Sequence, residues 1–222
     1  MRIGNIHGLD GSMIASVVAE FAALHPALNV ELRLSDKPDL IEDDIDIVLQ
    51  VERPDSARLV ARYLLTSRRV IVAAPSYVRM HGLPGVPVDV LRHRCICLIR
   101  GRRILDNWRF FIDGEDVEIQ VPRFLMSDST QVTEGWALDG RGVALKVLWD
   151  VSEDLSRGRL LQCLSDYTRH EVNLYAVYAQ QCYLPARMRA FLDFIRAKFQ
   201  DSLPGASPGQ HVLSRPDMLG AP

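Results

Sequence analysis

The sequence lacks the features that would place a chain in a membrane, in a secretory pathway or on DNA. No stretch approaches the ~18 uninterrupted apolar residues of a membrane span, and no basic segment followed by a long apolar one marks a signal peptide. The 26 basic and 28 acidic side chains give a formal net charge of −2, whereas nucleic-acid binders usually carry a basic excess. We therefore expect a cytoplasmic protein with no membrane association that does not by itself bind DNA.

Cysteine is scarce, and its spacing excludes the common metal and redox motifs. The four cysteines are Cys95, Cys97, Cys163 and Cys182. The first two are separated by one residue, which is neither CxxC redox spacing nor zinc-ligand spacing. In a strand their side chains lie on one face, so we interpret them as small buried apolar residues. The six histidines show no metal spacing either. We expect no metal ion and no cofactor.

Catalytic motifs are also missing. The sequence has no GxSxG elbow, no HExxH, no P-loop and no GxGxxG after a strand. The segment Gly140-Arg141-Gly142 is too short for a dinucleotide motif and follows a predicted helix. No acid–base pair can be assembled from the remaining residues, so we do not expect an enzyme.

Apolar periodicity, by contrast, is strong and alternates between strand and helix. Predicted strands at 2–7, 29–34 and 45–51 surround a predicted helix at 12–25 that ends at Pro26. Strands that alternate with helices predict βαβ units and a parallel sheet covered by helices on both faces.

The same alternation continues to residue 199. The further predictions are a helical turn at 39–43, strands at 69–74, 95–99, 143–147 and 174–177, and small helices at 76–81 and 87–91. A hairpin formed by 108–112 and 117–121, a helix that follows Ser127-Asp128-Ser129 and ends at Leu138, and a helix at 186–199 complete them. Gly82 is predicted to cap a helix, and Asp113-Gly114 to form the hairpin turn. Residues 200–222 are rich in Pro, Gly and Ser and predict a disordered or loosely attached tail.

Five segments also stand in an order and spacing that a known family shares. They are Ile3-Gly4 with Ala19-Glu20-Phe21 and His25-Pro26; 31–36 with Asp39-Leu40-Ile41 and 45–48; 59–65 with Arg69-Val70 and 74–77; 93–96 with Trp108-Arg109-Phe110; and 140–145 with Leu155, Gly158-Arg159-Leu160 and 175–178. Over residues 2–199 the chain resembles the effector-binding domain of LysR-type bacterial transcription regulators.

The resemblance implies the α/β fold of type 2 periplasmic binding proteins, with a ligand cleft between two Rossmann-like subdomains. We expect residues 1–199 to form this domain, with subdomain I at about 1–73 and 177–199 and subdomain II at about 74–176. Two crossing strands would form the hinge. The family's N-terminal helix-turn-helix and linker helix are missing, because the chain opens at the first strand. We expect a fragment of a longer regulator, the alternative being a regulator that has lost this part.

The implied function is to bind a small-molecule effector and to control transcription through the absent DNA-binding domain. DNA would be a partner only through that domain. A stand-alone solute-binding protein of the same fold is the alternative, but it should carry a secretion signal or lipobox, and residues 1–11 show neither. An enzyme on this fold, such as a dehydratase, would need a positioned acid–base pair in the cleft.

Self-association is a further expectation. The predicted helix at 12–25 has apolar side chains on two faces, a stripe wider than one sheet needs: Met13 with Val17, and Ala15 with Val18 and Ala22. In the family the matching helix packs antiparallel against the second subdomain of a partner. We expect a twofold homodimer, and a tetramer for the full-length protein.

Ligands of such folds bind at the carboxyl ends of parallel strands, where loop amides and helix N-termini point toward them. This geometry favours four loops, at 6–12, 35–37, 100–103 and 127–130, and the resemblance places the effector at matching positions. The predicted site for a small organic acid comprises Ile6, His7, Gly8, Ser35, Asp36, Ser127 and Ser129, with Arg100 as the charged partner.

Most polar residues of this site have a structural alternative. His7 is otherwise a solvent-facing loop residue, Asp36 a turn cap, and Ser127 and Ser129 caps of the helix that follows. Arg100 is otherwise one of several exposed arginines.

Two departures from the family's pattern affect this part of the prediction. Gly8 stands where the family often has Ser or Thr, so His7 and Asp10 are the substitute polar contacts. Lys146 stands where the family usually has an apolar residue. It either reaches the cleft or, as we favour, is a solvated surface lysine. Peroxide-sensing members use a cysteine pair in another segment, so we carry over no redox role for Cys95 and Cys97.

Overall fold

The computed structural model describes residues 1–6, 11–35, 38–40, 42–51, 53–180 and 183–202. The strands are β1 (Arg2–Ile6), β2 (Glu31–Ser35), β3 (Ile47–Gln50), β4 (Leu59–Ala73), β5 (Cys95–Arg100), β6 (Arg103–Ile104), β7 (Asn107–Ile112), β8 (Glu115–Gln120), β9 (Arg123–Ser127), β10 (Val143–Val147), β11 (Leu161–Cys163) and β12 (Glu171–Ala179). The helices are α1 (Gly11–Leu24), α2 (Pro75–His81), α3 (Thr130–Leu138), α4 (Leu148–Ser156) and α5 (Ala186–Ser202), with 3₁₀ turns at Pro87–Arg92 and Ser165–Tyr167.

The sheet is mixed rather than purely parallel. Its strand order is β2-β1-β3-β12-β4-β10-β5-β6, with β11 beside β4 and β9 beside β5. Two parallel sets, β2-β1-β3 and β10-β5-β9, match the βαβ units predicted from the sequence. The antiparallel strands β12 and β4 lie between these sets and join them.

The long strand β4 connects the two parallel sets. From Leu59 to Arg68 it pairs with β12, and from Arg69 to Val72 it pairs with β10. Hydrogen bonding is therefore continuous through β4 while the pairing partner changes at residues 68–69. The division into subdomains at 73/74 and 176/177 stays a prediction.

Separate apolar cores cover the two parts of the sheet. On one face of the sheet near β1 and β3, the apolar core packs under α1 and α5. On the other face a smaller core includes Ile45 and Val48, and turns rather than a helix cover it. The second part has cores on both faces, one including Tyr77 and Trp108 and the other under α3 and α4. Helices on both faces are thus found only in the second part of the described chain.

Glycine and aspartate occupy turn positions that require a positive φ angle. Gly82 has a φ of 78° after α2, and Asp113 and Gly114 have φ values of 51° and 92° between β7 and β8, as a two-residue hairpin turn with positive φ at both positions requires. A side chain at Gly142 would place its Cβ 2.2 Å from the Arg94 carbonyl oxygen. The Gly-Arg-Gly segment therefore allows β10 to start close beside β5.

Several elements differ from the prediction. Residues 39–43 form turns instead of a helix in their described part, with residue 41 outside it. Strand β9 and helix α4 are missing from the predicted elements. α4 follows β10 without a Gly or Pro break, and its N-cap Val147 makes no side-chain cap bond, so no start signal exists. α5 continues to Ser202, which corrects the predicted tail start at 200, and residues 203–222 lie outside the described ones.

Candidate ligand site

A small pocket lies where the two parallel sets of strands approach each other beside β4. Its walls come from the ends of several strands and the first turns of α3 and α4: Val51, Arg69, Leu98, Arg100, Thr130, Thr133, Leu145, Lys146, Val147, Asp150 and Val172. The volume is about 20 Å³, enough for roughly one water molecule. An organic ligand can therefore enter only if the walls move apart.

Arg100 is the predicted site residue that the structure brings to this pocket. It ends β5, is half-buried and lines the wall. It is less exposed than Arg102 in the following turn and Arg103 at the start of β6, and its contact with a ligand stays a prediction.

Ser127 and Ser129 border the pocket region at the start of α3. The Ser129 hydroxyl caps this helix by accepting a hydrogen bond from the Val132 amide, at 3.3 Å. The Ser127 hydroxyl accepts one from the Ser129 amide, at 3.1 Å. Ser129 therefore has the capping role that was its alternative, whereas Ser127 bonds the backbone of the cap residue and not the helix itself. The next residue, Thr130, lines the pocket itself.

The predicted residues of the first strands lie at one edge of the sheet. Ile6 and Ser35 end the parallel strands β1 and β2 and face each other in register. Val51 follows the parallel strand β3 and lines the pocket, so the ends of these strands point toward the same region. His7, Gly8, Asp10 and Asp36 lie outside the described residues.

Lys146 is the main residue for which our interpretation was wrong. We favoured a solvated surface lysine, but this residue is only 4% exposed. Its ammonium donates a hydrogen bond to the Thr130 carbonyl oxygen at 2.7 Å and lies 3.4 Å from a carboxylate oxygen of Glu134. Lysine is almost never fully buried unless it is paired. The signal in the sequence was a single charge within the apolar run 143–147.

Arg69 was missed altogether. It lies on β4 where the strand changes partner, opposite Val147 of β10, and it lines the pocket. It also borders a neighbouring recess with Glu171 and Asn173 of β12. Its only sequence signal was a polar interruption at 66–69 within an otherwise apolar strand, which does not by itself indicate a ligand contact.

The cysteines are unsuited to thiol chemistry at this site. Cys95, Cys97 and Cys163 are buried in the apolar core that includes Trp108. This agrees with the sequence-based interpretation of Cys95 and Cys97 as buried apolar residues. Burial raises the pKa of Cys95 to about 12, of Cys97 to about 11 and of Cys163 to about 12. The reactive thiolate is therefore suppressed. Cys182 lies outside the described residues.

The described part of the chain contains neither a metal-binding cluster nor a membrane-spanning helix. No group of three His, Cys, Asp or Glu side chains there is arranged to hold a metal ion. None of its helices is both long enough and apolar enough to cross a bilayer.

Solved structures show the class of fold. The regulatory domain of CrgA, a LysR-type transcriptional regulator from Neisseria meningitidis, superposes with a TM-score of 0.79 at 23% identity, covering 89% of this chain and 97% of that one. The regulatory domain of AphB in Vibrio vulnificus superposes with a TM-score of 0.73 at 24% identity, covering 89% of this chain and 96% of that one. The chain thus has the type 2 periplasmic-binding-protein-like fold of these domains, with a cleft between two Rossmann-like subdomains.

Sequence similarity identifies the family. The model described as LysR substrate binding domain matches residues 1–200, and the chain belongs to this family. It is 29% identical over 214 residues to the HTH-type transcriptional activator TtdR of Escherichia coli K12, covering 96% of this chain and 69% of the relative. It is also 27% identical over 208 residues to the HTH-type transcriptional regulator DmlR of the same strain, covering 93% of this chain and 67% of that relative. The chain is therefore homologous to the effector-sensing domains of transcription regulators rather than to enzymes.

Proposed function

We propose that this domain senses a small organic acid at the pocket beside β4, without catalysing a reaction, as part of a cytoplasmic transcription regulator. The observation that carries the proposal is the convergence of Arg100 and the amino-terminal turn of α3 on one wall. A guanidinium group matches a carboxylate in bidentate geometry, and the positive end of a helix dipole favours an anion. Solute binding for transport is not favoured, because the relatives are HTH-type regulators.

The small volume of the pocket suggests how binding is transmitted. A ligand has to separate the two parallel sets of strands, which β4 and β12 join. Binding then shifts the population between arrangements of the proposed subdomains. A DNA-binding domain attached before β1 would respond to that shift. The chain alone should not retard a promoter fragment at physiological salt, and sequence-specific retardation would refute this division of roles.

A thermal-shift screen against small carboxylates and aromatic acids tests the proposal directly, since a ligand that binds only the native state raises its melting temperature. Calorimetry with the best acid should then show Arg100→Gln binding at least about tenfold more weakly, or about 1.4 kcal/mol. The matched control is Arg102→Gln, which removes an exposed arginine from the adjacent turn. Equal losses for both variants would mean that the effect is general electrostatics and not the proposed contact.

Exposed apolar side chains favour the proposed homodimer, and the predicted face of α1 supplies only part of them. Val17 and Val18 are buried in the chain's own core, which corrects that part of the prediction, whereas Ala15 on the same helix is exposed. Leu34 of β2 is 50% exposed and Phe124 of β9 is 46% exposed. These residues lie on different parts of the sheet, so a twofold axis could pair each patch with the other patch of a partner.

Sedimentation of the parent chain at high micromolar concentration should show a dimer, and Leu34→Glu should shift it toward monomer. Val117→Glu is a suitable control, because it changes an exposed apolar residue of the separate β7–β8 hairpin. A parent chain that is monomeric with and without ligand would contradict the proposal. The tetramer expected for the full-length protein stays a prediction.

A further inference from the structure

A buried tyrosine joins three segments at one end of the second part of the sheet. Tyr77 of α2 is 1% exposed, and its phenol oxygen accepts a hydrogen bond from the Arg94 amide at 3.0 Å. The same oxygen lies 3.1 Å from Nδ1 of His93, which follows the 3₁₀ turn at Pro87–Arg92. Tyr77 therefore connects α2 both to the end of this turn and to the residue before β5.

The two contacts of the phenol favour a neutral His93. A backbone amide can only donate, so the phenol oxygen is the acceptor in its bond with Arg94. The phenol proton is then left for Nδ1 of His93, which accepts it only when the imidazole is neutral with its proton on Nε2. A protonated imidazole has donors on both nitrogens, so the O–H of the buried tyrosine would lose its acceptor at a cost in free energy.

We propose that Tyr77 and His93 form a pH switch, in which neutral His93 holds α2 against the start of β5 and protonated His93 releases it. The switch lies away from the ligand pocket, because Arg94 precedes β5 whereas the pocket residue Arg100 ends it. Histidine suits this role because its ordinary pKa lies near neutrality, so a modest change of pH alters its charge.

The groups around His93 act on its charge in opposite directions. Partial burial lowers the pKa of His93 below its ordinary value, the Asp89 carboxylate opposes this shift, and the nearby imidazole of His81 adds to it. Asp89 accepts hydrogen bonds from the Gly85 and Val86 amides, each at 3.0 Å. These bonds hold the pKa of Asp89 below its usual value, so this carboxylate stays charged throughout the range in which histidine titrates.

The other charged side chains of the neighbouring segments are directed to solvent or to other groups. Arg92 is exposed, and the Arg94 guanidinium lies over the ring of Phe124, 5.0 Å from its centroid. Strand β8 packs against the 3₁₀ turn, and its acidic side chains are exposed: Glu115, Asp116 and Glu118. The contact with Tyr77 and the partial burial of His93 are therefore the main influences on its protonation.

The direction of the pH effect follows from the lowered pKa. Because the folded-state pKa of His93 lies below the unfolded-state value of about 6.5, the folded chain binds fewer protons than the unfolded chain at mildly acidic pH. The stabilisation by the neutral imidazole is complete above about pH 6.5 and is lost as pH falls through the folded-state value. We therefore expect α2 to open locally under mildly acidic conditions and to stay in place at neutral pH.

Packing links α2 to the helix that forms part of the pocket wall. At Gly140, which lies two residues beyond the end of α3, an added Cβ would lie 2.4 Å from the Ser76 hydroxyl oxygen of α2. The turn that follows α3 is thus in close contact with α2. Release of α2 removes this neighbour, so mildly acidic pH is expected to act on the domain in addition to its ligand.

Nuclear magnetic resonance of the histidine rings in the full chain tests the protonation state without any variant. At pH 7.5 His93 should have an unprotonated Nδ1 and a proton on Nε2. Its titration midpoint should lie below about 6.5. A neutral ring with its proton on Nδ1, or a midpoint at or above about 6.5, would overturn the pH switch.

Variants test whether the contact with Tyr77 causes the effect. His93→Asn keeps an acceptor near the position of Nδ1 but cannot be protonated. Between pH 7.5 and 5.5 the unfolding equilibrium constant, measured by urea denaturation, should rise about threefold or more in the parent beyond its rise in His93→Asn. The matched control is His81→Asn, which removes an exposed imidazole 4.6 Å from the Tyr77 ring and should keep the pH dependence of the parent.

Tyr77→Phe separates the switch from a merely structural role. Loss of the hydroxyl removes the bond that favours the neutral imidazole, so the titration midpoint of His93 should rise. An unchanged midpoint in this variant, or equal pH dependence of the parent and His93→Asn, would overturn the proposal. If Tyr77→Phe fails to fold, the titration of His93 in the parent and the comparison with His93→Asn still decide.

Discussion

Asp106 and Lys146 are both buried charged side chains of the second part of the molecule, and their surroundings differ. Asp106 accepts hydrogen bonds from Arg123 Nε at 2.7 Å and from Gln120 Nε2 at 3.1 Å. Lys146 has one short bond, to a neutral carbonyl, and a carboxylate 3.4 Å away. Asp106 does not line the pocket beside β4, whereas Lys146 does.

The difference shows how a structural charge can be distinguished from a charge kept for a ligand. A carboxylate held by a guanidinium and an amide has its hydrogen-bonding capacity largely used within the fold, so its removal leaves the partners unsatisfied. A buried ammonium that is bonded mainly to a carbonyl retains much of its field for an incoming anion. Asp106 should therefore contribute mainly to the stability of the fold, and Lys146 mainly to the affinity for a ligand.

The largest stability effect should follow from removing the paired carboxylate. Asp106→Ala is expected to lower the free energy of unfolding by about 2 kcal/mol, below the usual 3–5 kcal/mol for a broken buried pair because Arg123 is half exposed. Urea denaturation measures this loss. The control is Glu118→Ala, which breaks the solvent-exposed pair with Arg109 and should cost less than about 1 kcal/mol. Equal losses would remove the distinction between the two kinds of pair.

Ser127, whose hydroxyl already accepts a hydrogen bond within the fold, tests whether a satisfied group can also bind ligand. Once a ligand is found, Ser127→Ala combined with Asp36→Ala should weaken it at least about tenfold, or about 1.4 kcal/mol, if these groups line the cleft. Calorimetry would measure this change, with Ser165→Ala as an exposed serine control. A double variant that binds like the parent would mean that the ligand site is confined to the pocket walls and does not extend to this edge.

A smaller effect is expected from pH. The hydrogen bond from Arg123, followed by that from Gln120, holds the pKa of the Asp106 carboxyl below its usual value. Because the folded-state pKa is lowered, the stabilisation is present above the unfolded-state pKa of about 3.9 and is lost as pH falls through the lower folded-state value. The stability difference between parent and Asp106→Ala should therefore shrink below about pH 4. Denaturation curves that show a constant difference there would contradict this origin.

The smallest stability effect should come from Lys146. Lys146→Met keeps a similar volume and removes a buried charge with incomplete pairing, so the free energy of unfolding should change by less than about 1 kcal/mol. Urea denaturation of the ligand-free chain would measure it beside Asp106→Ala. A loss as large as that of Asp106→Ala would show that Lys146 is a structural charge, and the comparison would then fail.

Much of the fold was predictable because local sequence carries the relevant physics. The apolar period of residues 12–25 predicted α1, which ends one residue earlier, at Leu24. Asp113-Gly114 predicted the β7–β8 turn because two adjacent positive φ angles favour such residues. By contrast, the short strand β9 carries the exposed Phe124 and Met126 and shows no clear apolar–polar alternation.

The site was only partly predictable, since its residues come from distant segments. Arg100 was found because it follows a strand, and strand ends meet at one edge of a parallel sheet. Arg69 and Lys146 are far apart along the chain, and only the antiparallel pairing of β4 with β10 places them on neighbouring strands. Nothing in the local pattern around either residue specifies that pairing.

The sequence by itself determined the family, most of the strands and helices and the hairpin turn at Asp113-Gly114, because periodicity, glycine positions and the spacing of segments are local properties of the chain. The tertiary structure decided which charges are buried and which converge. Burial depends on what packs over a residue: Lys146 lies in an apolar strand, and α3, whose Thr130 accepts its hydrogen bond, covers it. A lysine in a strand is therefore a surface residue or a pocket residue according to the helix that packs against it.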